Sequence, residues 1–156
     1  MTKELIEYRR QLINRLANTA IRFREACLIV KDPFAPLEPG GWSVHQVAFH
    51  TRDVQVLVYA VRARRTAEEE NPEFSNFDSE TYLAEHYDRN ESMEMLLNGF
   101  VEDVNRFAAK LRELPSEAWA RESRHAIMGS GFTLQLWVER GLAHMEEHIE
   151  TVRCTN

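Results

Sequence analysis

Two histidines, His144 and His148, have the spacing of two metal ligands on one helix. Residues four apart on an α-helix lie on the same face, with Cβ atoms roughly 5–6 Å apart. At that spacing both imidazoles can reach about 2.0–2.1 Å from one zinc-sized ion without bending the helix. A solvent-facing pair with the same spacing is common, so the pair predicts a metal site only when a third ligand joins it.

His50 is the candidate for that third ligand. The apolar stripe of the surrounding segment consists of Val47, Val54, Leu57 and Val61. His50 fills the one step of this stripe that the apolar residues leave open, so we expect its side chain to point inward. A buried neutral imidazole needs partners for both ring nitrogens, and a metal ion can be one of them. His50, His144 and His148 therefore predict a divalent metal site that leaves a position open for water or substrate.

Other metal-site patterns do not fit the same residues. A His-Glu-x-x-His protease motif needs Glu directly after the first His, where this chain has Met145. The inverted motif, His-x-x-Glu-His, matches by its letters, but it needs a distant downstream acidic ligand and only eight residues follow His148. Di-iron carboxylate bundles need Glu-x-x-His pairs on two helices, a requirement that the sequence does not meet.

Carboxylates near these histidines could fix their orientation. A ligating His usually donates its other ring N–H to a carboxylate or a carbonyl group. Asp53 lies one turn after His50 and is the best candidate for this role; Glu147 and Glu146 are further candidates, with ordinary helix surface as the alternative. His45 lies five residues before His50, which turns it away from the metal face. We expect His45 to be a surface or interhelical polar residue.

Four apolar-patterned segments predict the helices that position these side chains. They run from Lys3 to Val30, from the N-cap Ser43 to about Arg65, from Asp78 or Ser79 to about Leu114, and from the N-cap Thr133 onward. No segment alternates convincingly enough to predict a strand. Helices without strands must bury their stripes against one another, so we expect an all-α four-helix bundle. The connections 66–78 and 115–132 are expected to line its pocket.

Length and charge limit the remaining possibilities. A chain of 156 residues predicts a single domain, residues 1–156. Its net charge of −6 repels phosphate backbones, so we expect no nucleic-acid partner. No run approaches 18 apolar residues and the N-terminal segment is charged, so we expect neither a membrane span nor a signal peptide. We therefore expect a cytoplasmic protein.

Two segments resemble a known family. GWSVHQVAFHTRDVQ, residues 41–55, resembles the second-helix signature of the DinB/YfiT-like family. In that signature a Trp-Ser start leads to a metal-binding His seven residues after the Ser, often followed by an Asp; here these positions are Ser43, His50 and Asp53. GLAHMEEHIETV, residues 141–152, resembles the family's last helix with its paired histidines. The order and lengths of the segments agree over nearly the whole chain.

The resemblance implies an up-down-down-up four-helix bundle, often dimeric, with a divalent metal, commonly zinc or nickel, on the three histidines. Characterised members attach low-molecular-weight thiols such as bacillithiol or mycothiol to electrophiles, or isomerise thiol adducts. We therefore expect a homodimeric metalloenzyme, a thiol S-transferase or a hydrolase, acting on a small molecule. The alternatives are a non-catalytic metal-binding module, with a closed site, and a helical interaction protein whose histidines are merely packed.

Overall fold

The computed structural model describes residues 1–154, most of which are helical. The α-helices are α1 (Lys3–Leu28), α2 (Val44–Val54), α3 (Ala60–Glu68), α4 (Ser79–His86), α5 (Met93–Glu113) and α6 (Leu134–Arg153). A π-helical turn, Gln55–Tyr59, joins α2 to α3, so these form one continuous segment. With α1, α5 and α6 it makes the predicted bundle of four long segments. None of the helices within residues 1–154 has the length and hydropathy of a membrane-spanning segment.

The predicted N-caps of the second and last segments are present. Ser43 accepts a hydrogen bond from the backbone N–H of Gln46, whose side chain accepts from the Ser43 N–H in return. This capping box satisfies two N–H groups that the first turn of the helix leaves without partners. Thr133 accepts from the N–H of Leu136 at the start of α6. Local side-chain chemistry therefore sets where both histidine-bearing helices begin.

The prediction of one helix from residue 78 to residue 114 is wrong. The chain leaves the helix after His86 and re-enters it at Met93, and each part has its own N-cap. Asp78 caps α4 by accepting from the N–H of Thr81, and Ser92 caps α5. The polar run between the two parts, YDRNES, contains residues that favour turns over helix. A short helix, α4, is thereby separated from the long bundle helix α5.

The first and last helices run side by side in the same direction. Tyr8 donates a hydrogen bond to Glu139, and Arg15 forms an ion pair of 2.6 Å with Glu146. The earlier residue of α1 contacts the earlier residue of α6, and the later residue contacts the later one, so the two helices are parallel. The full up-down-down-up order of the four segments remains a prediction.

The expectation of an all-helical chain without strands is wrong as well. β1 (Glu73–Phe74), β2 (Glu122–His125) and β3 (Gly129–Thr133) form a small sheet in that order, with β1 parallel to β2 and β2 antiparallel to β3. The strands lie in the two segments that were expected to be connections. Because β1 pairs with β2 across a long stretch of sequence, and each strand is short, local alternation does not reveal them.

The sheet covers the N-terminal part of α6. Trp137 is fully buried there and packs between the rings of Phe74 and Phe132, at centroid distances of 5.8 and 4.8 Å. Its indole N–H donates to the hydroxyl of Ser123 at 2.8 Å. The connections therefore close the end of the bundle beside Trp137, two turns before His144.

The π turn and α6 approach each other most closely at Gly141. A Cβ at this position would lie 2.8 Å from Oε1 of Gln55 and 3.1 Å from Cβ of Tyr59. The Gln55 atom ends a flexible side chain, but the Tyr59 Cβ is fixed to its backbone. The seam between the two helices therefore requires a residue without a side chain at position 141.

Gly141→Ala is expected to lower the free energy of unfolding. Replacing Gly by Ala inside a helix ordinarily stabilises it by about 1 kcal/mol, whereas overpacking a core costs about 1–3 kcal/mol. Denaturant unfolding of the metal-free protein measures the sum of this gain and this cost. Gly99→Ala is the matched control. A Cβ there meets nothing within 4 Å, so this substitution brings only the gain in helix stability. Equal stabilisation by both substitutions would contradict the close approach at Gly141.

Candidate metal centre

The three predicted ligands lie together in the seam between α2 and α6. Nε2 of His144 is 3.0 Å from Nε2 of His50 and 3.0 Å from Nε2 of His148. The ring centroids of His50 are 4.9 and 5.0 Å from those of His144 and His148. One ligand atom from each residue lies within 4.8 Å of the others. The fold thus brings residue 50 to the His-x-x-x-His pair, with the same ring nitrogen of all three side chains turned inward.

This set of donors fits a divalent transition metal. The Nε2 of His144 faces two other Nε2 atoms, and a single proton on it could serve only one of these contacts. A cation between the rings would use the lone pairs of all three nitrogens. Imidazole donors suit zinc, nickel, iron and copper.

Burial keeps the three rings neutral. Burial, with the charge of His148, lowers the pKa of His50 to about 4, and burial, with the charges of His148 and His50, lowers the pKa of His144 to about 3. The pKa of His148 is lowered for the same main reason, burial. Metal binding requires deprotonated ligand atoms. At neutral pH the three Nε2 lone pairs are therefore available without displacing protons from imidazolium groups.

Two aromatic residues stand against the cluster. The ring of Trp42 lies 4.9 Å from that of His50, and the ring of Tyr59 lies 5.7 Å from that of His144. Tyr59 is nine residues after His50, a spacing that would place it roughly 180° around a regular α-helix. The wider π turn changes this angle and brings Tyr59 to α6. Helical periodicity therefore could not find Tyr59, and the sequence carries no evident signal of the π turn.

Asp53 lies beside His50 but directs its hydrogen bonds elsewhere. Within residues 1–154 its carboxylate accepts from the hydroxyl of Tyr82 and from Nε of Arg52, both at 2.7 Å. Arg52 also forms an ion pair of 2.6 Å with Glu91. The negative charge of Asp53 acts to raise the pKa of His50, against the effect of burial. Asp53 thus influences His50 through its charge, and it ties α2 to α4 through Tyr82.

The two glutamates between the paired histidines face away from the cluster. Glu147 is exposed, and its charge acts to raise the pKa of His148. Glu146 forms the ion pair with Arg15 that joins α6 to α1. Neither carboxylate is hydrogen-bonded to a histidine ring in the part of the chain that the structure describes.

His45 is buried, so the surface alternative for it is wrong. Its Nδ1 lies 2.6 Å from the hydroxyl of Tyr87, and its Nε2 lies 2.8 Å from the carbonyl oxygen of Glu91. Both ring nitrogens therefore have partners in the segment between α4 and α5. His45 fixes that segment against α2, as an interhelical polar residue would.

A groove of about 580 Å³ opens between α3 and α5. Its walls include Gln55, Ala60, Ala63, Val104, Phe107 and Leu111. Helices line it: of the predicted connections 66–78 and 115–132 it includes only Ala67 and Glu68, at the end of α3. None of the three clustered histidines is among its walls.

Comparison with known proteins gives a family and a related structure. The family model described as the DinB superfamily matches residues 2–152. A solved structure is similar over 99% of this chain and 87% of its own, with a TM-score of 0.87 and 23% sequence identity. It is YfiT from Bacillus subtilis, described as a probable metal-dependent hydrolase with an unusual four-helix bundle topology. No functionally curated protein matches the sequence.

The low pKa values of His50 and His144 predict how the stability of the metal-free protein depends on pH. Below about pH 6.5 the unfolded chain binds protons on these residues, whereas the folded chain does so only near pH 4 and pH 3. The free energy of unfolding should therefore fall as the pH decreases from 6.5 towards 4. Urea unfolding at a series of pH values measures this loss.

His144→Gln removes one of the titrating groups from the cluster. Its stability should decrease less than that of the wild-type protein between pH 6.5 and pH 5, where most carboxylates remain charged. An identical decrease in the two proteins would show that burial does not hold His144 in its neutral form.

Proposed function

Because the chain belongs to the DinB superfamily, we propose that it is a metalloenzyme that activates water or a low-molecular-weight thiol to attack a small electrophilic substrate. The convergence of three histidine Nε2 atoms, at contacts of 3.0 Å, carries this proposal. His50, His144 and His148 are the proposed ligands, and zinc or nickel is the proposed metal. The description of YfiT as a probable metal-dependent hydrolase supports the same class of chemistry.

An open site favours an enzyme over a bundle stapled by metal. In residues 1–154 the group of side chains that could share one ion contains the three histidines and no fourth His, Cys, Asp or Glu. A structural zinc site usually has four protein ligands, whereas a catalytic one has three and leaves a position for water or substrate. A bound divalent ion lowers the pKa of a water or thiol on that position, so that a nucleophile exists near neutral pH.

The surrounding side chains would position and shield this chemistry. The rings of Trp42 and Tyr59 lie against His50 and His144 and would limit the access of water to the cluster. Asp53 places a negative charge near His50, and the hydroxyl of Tyr82 and the guanidinium of Arg52 hold that carboxylate in place. We further propose that the protein is a homodimer, as the family resemblance implies, and that it is cytoplasmic.

The metal site is tested by binding measurements on protein purified without an affinity tag of histidines. We expect one equivalent of zinc or nickel, and we expect His50→Ala to weaken binding about as much as His148→Ala. The loss should be at least about 100-fold, exceeding the 10–100-fold typical of partners that only orient a ligand. His86→Gln, at an exposed residue outside the cluster, is the control and should bind as wild type does. Wild-type binding by His50→Ala would exclude His50 as a ligand.

The reaction is tested with two model substrates. The metal-loaded protein should accelerate the hydrolysis of an activated ester, p-nitrophenyl acetate, or the coupling of a small thiol to 1-chloro-2,4-dinitrobenzene. Removing the metal should abolish the activity, and restoring it should bring the activity back. Whichever assay responds identifies the nucleophile. If the metal-loaded wild-type protein and His148→Ala behave alike in both assays, the non-catalytic module becomes the better interpretation.

A further inference from the structure

Most of the unpartnered buried polar atoms in residues 1–154 belong to the two helical segments that carry the clustered histidines. Within residues 1–154, the buried side-chain nitrogen and oxygen atoms without a hydrogen-bond partner belong to Thr19, Thr51, Gln55, His144 and His148. Thr51 and Gln55 lie on the helical segment that carries His50, one turn apart. Buried polar groups in folded proteins nearly always have a partner, in the protein or in ordered water. The atoms of Gln55, His144 and His148, which lie on the two facing segments, therefore call for partners there.

Gln55 lies in the seam with α6, next to Gly141. Along its own segment it stands between His50 and Tyr59, and the rings of both contact the ring of His144. Its Oε1 lies 2.8 Å from the point where a Cβ of Gly141 would stand, one turn before His144 on α6. The side chain of Gln55 is only 1% exposed, and both atoms of its amide lack a partner.

Metal ligation would make His144 a hydrogen-bond donor that lacks an acceptor, while Gln55 offers an acceptor that lacks a donor. A histidine that offers its Nε2 lone pair to a metal carries its proton on Nδ1, which then needs an acceptor. Nδ1 of His144 is buried without a partner, and Oε1 of Gln55 is a buried acceptor without a donor. His45, outside the cluster, has partners for both of its nitrogens. A buried ring nitrogen without a hydrogen-bond partner is thus found on the clustered His144 and His148 but not on His45.

We propose that Gln55 is the positioning residue of His144. Its Oε1 accepts a hydrogen bond from one ordered water, and this water accepts a hydrogen bond from the Nδ1–H of His144. Buried waters typically make about three hydrogen bonds to such groups. The inference rests on the proposed metal centre, since it is metal ligation that places the proton of His144 on Nδ1.

Two backbone features agree with this role. A π turn begins at Gln55, and π turns inside α-helices often mark functional positions. On the facing helix, Gly141 leaves the space that the Gln55 amide occupies.

Zinc titration against a chromophoric chelator tests the proposal with two variants at one position. Gln55→Met keeps the size of the side chain but removes the acceptor, and it should weaken zinc binding about 10–100-fold. Denaturant unfolding of metal-free Gln55→Met should show unchanged or higher stability, because an unpartnered buried amide is gone. Gln55→Glu restores an acceptor of the same length and should bind zinc within a few-fold of wild type.

Thr66→Val is the control for a polar-to-apolar change in the same helical segment. Thr66 is fully buried and donates to the carbonyl oxygen of Arg62, away from the histidines. This variant should lose some stability and bind zinc as wild type does. In Gln55→Met, zinc affinity should fall while stability stays unchanged or rises. This result distinguishes a positioning role from a merely structural one.

The outcomes separate this inference from the proposed function. If wild-type protein binds no zinc or nickel, the metal centre itself fails. If wild type binds zinc and Gln55→Met binds it equally well, only the role of Gln55 is overturned. Should Gln55→Met not fold, a high-resolution crystal structure of the zinc-loaded wild type decides. A water within hydrogen-bond distance of both Gln55 Oε1 and His144 Nδ1 supports the proposal, and its absence overturns it.

Discussion

Three uncharged imidazoles that face one another in a buried seam impose the central constraint on this molecule. With Nε2 contacts of 3.0 Å, protons on these nitrogens cannot satisfy every contact, and burial disfavours an imidazolium charge that would draw water into the seam. A cation that accepts three lone pairs removes the conflict. The fold provides the conditions for this, since two helices hold the rings at fixed positions and the surrounding core keeps them neutral.

The close approach of the two helices follows from small backbone features. Gly141 has no side chain that would separate α6 from the π turn, and the π turn places Tyr59 against α6. A regular helix with alanine at position 141 would hold the helices further apart and would direct Tyr59 elsewhere. The local departure from α-helical geometry is therefore part of how the site is built, and it brings polar groups into a core that would otherwise be apolar.

The side of α2 that faces away from α6 holds the short helix α4. Asp53 accepts from Tyr82, Arg52 pairs with Glu91, and His45 contacts Tyr87. These hydrogen bonds connect α4 and the segment after it to the helix that carries His50. The orientation of α2 is thus fixed from both sides, by polar contacts with the α4 region and by packing against α6. A rigid helix is what a ligand such as His50 needs in order to meet two others from a different helix.

The sequence by itself determined three of the four long helical segments and the N-caps Ser43 and Thr133, because these depend on local propensity and capping. The spacing of His144 and His148 along one helix, and the place of His50 in an apolar stripe, predicted the three histidines as a group. The family was also identifiable from two short segments. The strands escaped prediction because their pairing joins Glu73 to Arg124, and no local pattern encodes such a contact. Only the tertiary structure decided that His45 is buried, that Asp53 bonds to Tyr82, and that Tyr59 lies against His144. Each of these depends on the packing of one helix against another, and the position of Tyr59 depends also on a π turn that shifts it from the place that regular periodicity predicts.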